Sequence, residues 1–381
     1  MSGSNGEARR RPILGITLGD PTGVGPEIIV QALAQPSVQT ECRPVVIGRP
    51  FFIEKAAQLC GLQVRLRVLQ DGAEFRDWLD SSRASSGSIG APEPSKADAN
   101  REAFEVVVLV AGRIEDEGAI GGTIDARGGQ AAYDALVMGA HACLDGRLDG
   151  LVTAPLQKKA LHLAGHDWPG HTELLAHLCG VEQSAMMLYL PPGKPQHGGP
   201  AGLGVVHVTL HMALREIFGM LTPSSVFDKI ALTHRYFSQL RAGMGLTGRP
   251  KIAVAALNPH GGESGRFGHE EEEVILPAVE RAQRSGIDAT GPHPVDTLMP
   301  RAANGEFDAV VAMYHDQGHI ALKLIDMYEA VNITLGLPIL RTSVAHGTAH
   351  DIAWENRAQC GGMVQAILAA SRLANERHTR E

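Results

Sequence analysis

The sequence predicts an α/β fold with a largely parallel sheet, divided into two lobes. Short apolar strands recur along it, each running into a Gly, Pro or polar turn and then an amphipathic helical stretch. Glycine (44) and proline (22) are frequent while aromatics make up only 4%, the balance of a chain with many tight strand-to-helix turns and few stacking platforms. At 381 residues, 44% of them apolar, the chain exceeds the size at which a single core stops growing.

Residues 12–18 read as a buried strand, followed by a turn over 19–26 and a helix over about 27–33. A strand at 44–47 leads into a helix reaching Cys60, and a strand at 150–153 precedes another helical stretch. Further strands are expected at 204–210, with a helix beginning near Leu214, and at 251–257 and 309–313. The stretches 81–100 and 191–204 carry no hydrophobic periodicity and read as polar surface loops.

Composition removes several function classes. A formal net charge of −8 gives no global attraction to nucleic acid or anionic lipid, so any anion must be met by a local cluster. Cys42, Cys60, Cys143, Cys179 and Cys360 are odd in number and form no CxxC, which points to reduced thiols in a cytoplasmic protein. The first apolar run is broken by Gly15, Gly19, Asp20 and Pro21, so neither a signal-peptide core nor a membrane span is expected there.

In open α/β sheets ligands gather beyond the carboxyl ends of strands, so the residues following each strand deserve first scrutiny. His171 and Thr172, in PGHTE, offer an imidazole, a hydroxyl and free backbone N–H groups to an anion at a helix start; alone, they equally fit a helix cap beside a surface histidine. His207 and His211 are four apart, which on a strand separates them by about 13 Å. His211, at the strand's end, is the better placed ligand, and His207 inside VVHVTL reads as packed. NPHGGESG places His260 in a glycine-rich loop after a strand, where backbone can approach a ligand or a metal, although a turn with an incidental histidine has the same pattern. AMYHDQGH puts His315, Asp316 and His319 at another strand end, a density of polar groups costly to pack in a core. Three strands each delivering a histidine to one sheet edge is the arrangement of a divalent-metal site with open positions. Lys323, Asn332 and Arg341 stand isolated in LKLIDMYEAVNITLGLPILRTS. Singly they fit salt bridges or snorkelling side chains; together they suit carboxylate or phosphate contacts. HGTAHDIA, starting at His346, reads as a glycine turn and hydroxyl ahead of a helix. The chain contains no classical Rossmann fingerprint, with the glycine motif directly after a strand and opening a helix, so a dinucleotide would bind by another route.

The ordered motifs GDPTGVGPEI, TAPLQK, PGHTE, NPHGGESG, DTLMP, AMYHDQGH, VNITLGLPILRTS and HGTAHDIA together resemble the 4-hydroxythreonine-4-phosphate dehydrogenase family of pyridoxal phosphate biosynthesis, over about residues 13–353. The resemblance implies a two-lobed isocitrate/isopropylmalate dehydrogenase-like fold with a cleft. In it, residues 1–150 with 305–381 form the cofactor-side lobe, and 151–304 form the lobe with the metal, substrate and dimer contacts. It implies a homodimer with shared active sites, NAD or NADP, and a divalent metal; neutral imidazole ligands rank Zn²⁺ ahead of Mg²⁺ or Co²⁺. Carried over by motif, His211, His260 and His315 are the metal ligands, and His171, Thr172, Lys323, Asn332 and Arg341 the substrate-binding residues. His346, Gly347, Thr348 and Asp351 fall in a loop similar to the adenosine-binding loop of the related decarboxylating dehydrogenases. Lys323 and Asp296 are the candidate catalytic groups. The implied reaction is NAD(P)-dependent oxidation of 4-phosphooxy-L-threonine at C3, with decarboxylation to 3-amino-2-oxopropyl phosphate. A paralogue acting on 4-phospho-D-threonate or 4-phospho-D-erythronate shares the same motifs. A more remote reading is a metal-dependent hydrolase or phosphometabolite-binding protein. No nucleic-acid or membrane partner is expected.

Overall fold

The structure is a computed structural model that describes residues 11–84 and 103–378. The chain divides into two units, the second built on Val181–Leu337 and the first on the residues before and after it, through Asn375.

The first unit opens with β1 (Ile13–Thr17), α1 (Gly25–Leu33), α2 (Pro36–Glu41), β2 (Arg43–Gly48), α3 (Pro50–Leu59), β3 (Val64–Leu69) and α4 (Ala73–Ala84). It continues with β4 (Phe104–Val110), α5 (Ala126–Leu144), β5 (Gly150–Thr153), α6 (Lys158–Leu163) and α7 (His171–Leu178). The second unit comprises β6 (Ala185–Leu190), β7 (Leu203–His207), α8 (Ile217–Met220), α9 (Pro223–Gly243), β8 (Ile252–Ala255), α10 (Leu276–Arg284), β9 (Ala289–His293), α11 (Val295–Ala303), β10 (Ala309–Ala312), α12 (His315–Asp326) and β11 (Val331–Leu335). The chain then returns to the first unit with β12 (Arg341–Val344) and α13 (Gly361–His378).

The crossings fall after Gly180 and Leu337, where the sequence suggested 150 and 304. Pairing explains the difference. β5 is parallel to β1 and β12, and α6 packs on α5, which keeps 150–178 in the first unit. β10 pairs with β7 and β8, and β11 with β6, which keeps 309–335 in the second.

The first unit's strands are all parallel, in the order β3-β4-β2-β1-β5-β12. The second unit's order is β11-β6-β7-β10-β8-β9, with β6 antiparallel to both neighbours and the last four strands parallel. The α/β class with a largely parallel sheet is thus as the sequence predicts. β1, β5, β8 and β10 are buried along their whole lengths. Strands covered on both faces read as continuous apolar runs with no alternation, which is why these four were legible. In the second unit Ile252, Val254, Val311 and Met313 pack against Val226 and Ile230 of α9 and Ala278, Val279 and Ala282 of α10. Helix starts are fixed locally: Asp125 accepts from Arg127 N, and Thr222 and Ser225 exchange hydrogen bonds at α9.

Of the two expected polar loops, 81–84 is the last turn of α4 and the remainder lies outside the described residues. The other is irregular from Pro191 to Gly202 but fastened. Tyr189 donates to Ala201 O (2.9 Å), His197 is buried with Nδ1 2.9 Å from Pro191 O, and Lys194 pairs with Glu329 (2.8 Å). Among the described residues no helix is long and apolar enough to cross a membrane.

Asp308 ties the entries of β10 and β8 together. Its carboxylate accepts from Lys251 N (2.8 Å) and from the half-buried Arg241 (2.8 Å). Asp308→Ala leaves both donors without their anion, and we expect a loss of about 2–4 kcal/mol in urea unfolding. Asp308→Asn, which retains one acceptor, should lose about half of that.

Candidate active site

In the second unit β10 lies between β7 and β8 and is parallel to both, so the three strands present their carboxyl ends on one edge. His211 follows β7, His260 follows β8 and His315 opens α12 directly after β10. The edge is stitched by side chains. Thr209 Oγ1 donates to Met313 O (2.8 Å), linking the ends of β7 and β10. Gln317 accepts from Met313 N and donates to Ala256 O (2.7 Å each), linking β10 to β8.

Four imidazoles gather at this edge. The rings of His211 and His315 are 5.7 Å apart, His315 stacks on His319 at 3.8 Å, and His319 Nδ1 lies 3.1 Å from His207 Nε2. Burial, reinforced by the neighbouring histidines, lowers His207 to about 3 and His319 to about 4, so both are neutral near pH 7. His207 is buried on β7, as its apolar flanks suggest. His315 Nδ1 donates to Asp316 Oδ1 (2.7 Å); in the neutral ring this leaves the Nε2 lone pair available, the usual way a carboxylate prepares a histidine for a metal.

His260 is held differently. It begins an unbroken left-handed run, with φ 54° at His260, 68° at Gly261, 78° at Gly262, 46° at Glu263, 56° at Ser264 and 85° at Gly265. Glycine tolerates this freely, whereas His, Glu and Ser there are strained, a condition that concentrates at functional sites. Glu271 holds the loop: its carboxylate accepts from Leu257 N (2.8 Å), Asn258 N (2.7 Å) and Asn258 Nδ2 (3.0 Å). The His260 ring is exposed, and Nδ1 lies 3.9 Å from Glu263. Among the described residues no three His, Cys, Asp or Glu side chains stand close enough to hold a metal ion. The arrangement brings His211 and His315 together; His260 shares their sheet edge.

His315, His319 and Lys323 follow at intervals of four along α12, which places them on one stripe of the helix. Asn332, on β11, has a buried Oδ1 with no hydrogen-bond partner among the described residues. Asp296 is exposed in the first turn of α11 and accepts from Thr297 N (2.9 Å).

In the first unit His171 and Thr172 open α7, as the sequence predicts. Arg341, at the start of β12, is buried and donates to Thr153 Oγ1 (2.7 Å) at the end of β5. Burial lowers the guanidinium to about 10, still charged at neutral pH, while Glu173 works in the opposite sense. Burial and the charge of Arg341 together hold His171 neutral. Beyond β12, His346, Gly347 and Asp351 are exposed and Thr348 is buried. No helix follows directly, contrary to the sequence reading. The chain turns through left-handed Ala349 (φ 44°), Trp354 (64°) and Asn356 (55°), and α13 starts only at Gly361. Such turns break the repeating backbone hydrogen bonds a helix would need.

Residues 40–370 match the family described as pyridoxal phosphate biosynthetic protein PdxA. The chain belongs to the PdxA family. It is 42% identical over 370 residues to a 4-hydroxythreonine-4-phosphate dehydrogenase of Geobacter metallireducens, covering 96% of each chain. It is 41% identical over 367 residues to a D-threonate 4-phosphate dehydrogenase of Cupriavidus necator, covering 96% of this chain and 98% of that one. A solved 4-hydroxythreonine-4-phosphate dehydrogenase of Klebsiella pneumoniae superposes with a TM-score of 0.77 at 36% identity, covering 95% of this chain and 99% of that one. As a PdxA-type dehydrogenase, the protein is an oxidoreductase.

Beyond the residues given a site role from the sequence, this PdxA-family chain uses Glu271, Gln317 and His319 to build the edge. Gln317 and His319 lie inside AMYHDQGH and were visible as polar density at a strand end. Glu271 sits in the charged run EEEE at 270–273, which reads as a solvated face, so nothing local marks it out. Replacing Glu271 by Ala strands three donors at the loop's root. We expect a loss of about 2–4 kcal/mol together with faster amide exchange at Leu257 and Asn258.

Proposed function

We propose that the protein catalyses NAD(P)-dependent oxidation of 4-phosphooxy-L-threonine at C3, with loss of CO₂ to give 3-amino-2-oxopropyl phosphate, in pyridoxal phosphate biosynthesis. The observation that carries this reading is the single sheet edge of β7, β10 and β8, which supplies three histidines from three adjacent parallel strands in a chain of the PdxA family.

His211, His260 and His315 are the proposed ligands of a divalent cation. Neutral imidazoles suit Zn²⁺ first, with Mg²⁺ or Co²⁺ as further candidates. When bound, the cation would acidify the C3 hydroxyl and polarise the carbonyl formed there, and NAD⁺ or NADP⁺ at His346, Gly347, Thr348 and Asp351 would accept the hydride.

The chain's own residues do the remainder. Arg341, charged and buried, binds an anionic group of the substrate with His171 and Thr172. His171, being neutral, donates one hydrogen bond without adding a second positive charge. Asn332 Oδ1, buried without a partner among the described residues, accepts from a substrate N–H or O–H. Lys323 is the proposed proton acceptor at the C3 hydroxyl, and Asp296, exposed on α11, is a second candidate for proton transfer.

The working form is proposed to be a homodimer. Ile320, Leu324, Met327 and Tyr328 of and just after α12 are all exposed and recur at helical spacing on one face, an apolar strip that a second copy would cover. The five free thiols suit a cytoplasmic setting.

Reduction of NAD⁺ or NADP⁺, read at 340 nm with 4-phosphooxy-L-threonine, 4-phospho-D-threonate and 4-phospho-D-erythronate, tests the reading. The expected result is preferred turnover of the threonine derivative, abolished by a chelator and restored by Zn²⁺, Mg²⁺ or Co²⁺. No turnover of any of the three with either dinucleotide would exclude it. His211→Ala, His260→Ala and His315→Ala should each lower kcat/KM by about 100-fold or more. Bound metal by elemental analysis should fall in parallel. Lys323→Ala should lower kcat while leaving substrate affinity within about threefold, if proton transfer is its main role.

A further inference from the structure

Asp20, in the turn after β1, is completely buried. Its Oδ1 accepts from Thr22 N (2.9 Å) and Thr22 Oγ1 (2.6 Å). Its Oδ2 is buried with no hydrogen-bond partner among the described residues, and His350 Nε2 is 3.9 Å away. From Thr22 the contacts continue outward: Thr22 Oγ1 lies 3.1 Å from His350 Nε2, and His350 Nδ1 lies 3.0 Å from Thr348 Oγ1.

The donors in this series can be assigned by counting protons. Thr22 has one hydroxyl hydrogen, and the carboxylate takes it. Thr22 Oγ1 must therefore accept from His350 Nε2–H. In the tautomer that carries its hydrogen on Nε2, Nδ1 holds the lone pair and accepts from the Thr348 hydroxyl. A one-way chain runs Thr348 to His350 to Thr22 to Asp20, from the exposed loop to a buried anion.

The packing leaves little slack. Val24 N donates to Thr348 O (3.0 Å). A Cβ on Gly23 would come within 2.7 Å of that same oxygen, and one on Gly128 within 2.4 Å of Asp20 Oδ1. Burial raises the Asp20 carboxyl above its ordinary range. A buried carboxylate with one oxygen unmet is a poor way to stabilise a fold, so its presence calls for another reason.

We propose that Asp20, acting through Thr22 and His350, is a positioning residue for the dinucleotide: the chain fixes the Thr348 hydroxyl and the His350 ring, and so holds the His346–Asp351 loop in its binding form. The inference rests on the reading of that loop as the dinucleotide site.

The test is calorimetric titration of NAD⁺ and NADP⁺ into the full-length protein and three variants, with thermal unfolding of each. Thr22→Val removes the relay hydroxyl with little change of shape, and Thr22→Ser restores it. Loss of one hydrogen bond of this kind predicts that Thr22→Val weakens the dinucleotide by about tenfold, with Thr22→Ser within about threefold of wild type. Affinity for 4-phosphooxy-L-threonine should stay within about twofold throughout. Asp20→Asn removes the buried charge; it should weaken the dinucleotide as Thr22→Val does, yet unfold no earlier than wild type. Wild type and Thr22→Val binding the dinucleotide equally would overturn the inference and leave the cofactor reading standing. Wild type binding neither dinucleotide would overturn both. If Asp20→Asn unfolds several degrees earlier with unchanged dinucleotide affinity, Asp20 is structural and the inference fails.

Discussion

β10 pairs in parallel with β7 on one side and β8 on the other, and the second unit's chemistry follows from that pairing. Neighbouring strands lie about 4.8 Å apart, so residues leaving three adjacent parallel strands start out within one short span of sheet edge. In an antiparallel arrangement the middle strand would end at the opposite edge. The helix after β10 begins at once with His315, so its stripe of His315, His319 and Lys323 starts at that edge too. Thr209 and Gln317 add side-chain bonds across the strand ends, where the ladder itself has stopped.

Electrostatics then divides the labour. The chain carries a net charge of −8, so an anionic substrate must be met locally. In the proposed reading that task falls to Arg341 of the first unit, whose guanidinium stays charged despite burial because its ordinary value is so high. In the second, burial, with the positive charge of neighbouring groups (His315 for both, Lys323 for His319), keeps His207 and His319 neutral. Crowded imidazoles are therefore cheap to hold uncharged, and uncharged imidazoles are what a metal requires.

How much of this was legible depended on burial and on locality. β5 was readable to the residue because it is covered on both faces and reads as an apolar run. The sequence reading names no strand at β3, β4, β6, β9, β11 or β12: β3 lies at the sheet's edge, with exposed Arg65 and Arg67 breaking the apolar pattern, whereas β6 is as apolar and buried as β5, so burial alone does not make a strand legible. The apolar pattern carries the strand with His207 on to residue 210, whereas the ladder ends at His207 and the residues after it belong to the turn. The histidines, Arg341 and the helix at His171 could be found because their signals are short-range. Glu271 could not, because its role depends on a loop root thirteen or fourteen positions upstream, and neither could the helix-free stretch after Asp351, because Ala349 and Trp354, left-handed here, have no such intrinsic preference.

Those last two failures have one physical cause. The left-handed run at His260 and the left-handed turns at Trp354 and Asn356 are each anchored by a buried glutamate that accepts two backbone N–H groups. Glu271 takes those of Leu257 and Asn258, and Glu27 takes those of Trp354 (2.6 Å) and Asn356 (2.7 Å). Irregular backbone in a buried setting leaves amides without ladder partners, and a carboxylate is the one side chain that offers two strong acceptors at once. In both cases the anion is supplied from a helical segment rather than from the loop, so the loop's shape is dictated from outside its own sequence. Asp20 differs from both in one respect. It has the same burial and the same acidic chemistry, but one of its oxygens receives no hydrogen bond among the described residues, and the other leads through two side chains to an exposed loop. Glu27 and Glu271 are accounted for by the two backbone amides each fastens; Asp20 fastens one, that of Thr22, and the proposed positioning role addresses its remaining oxygen.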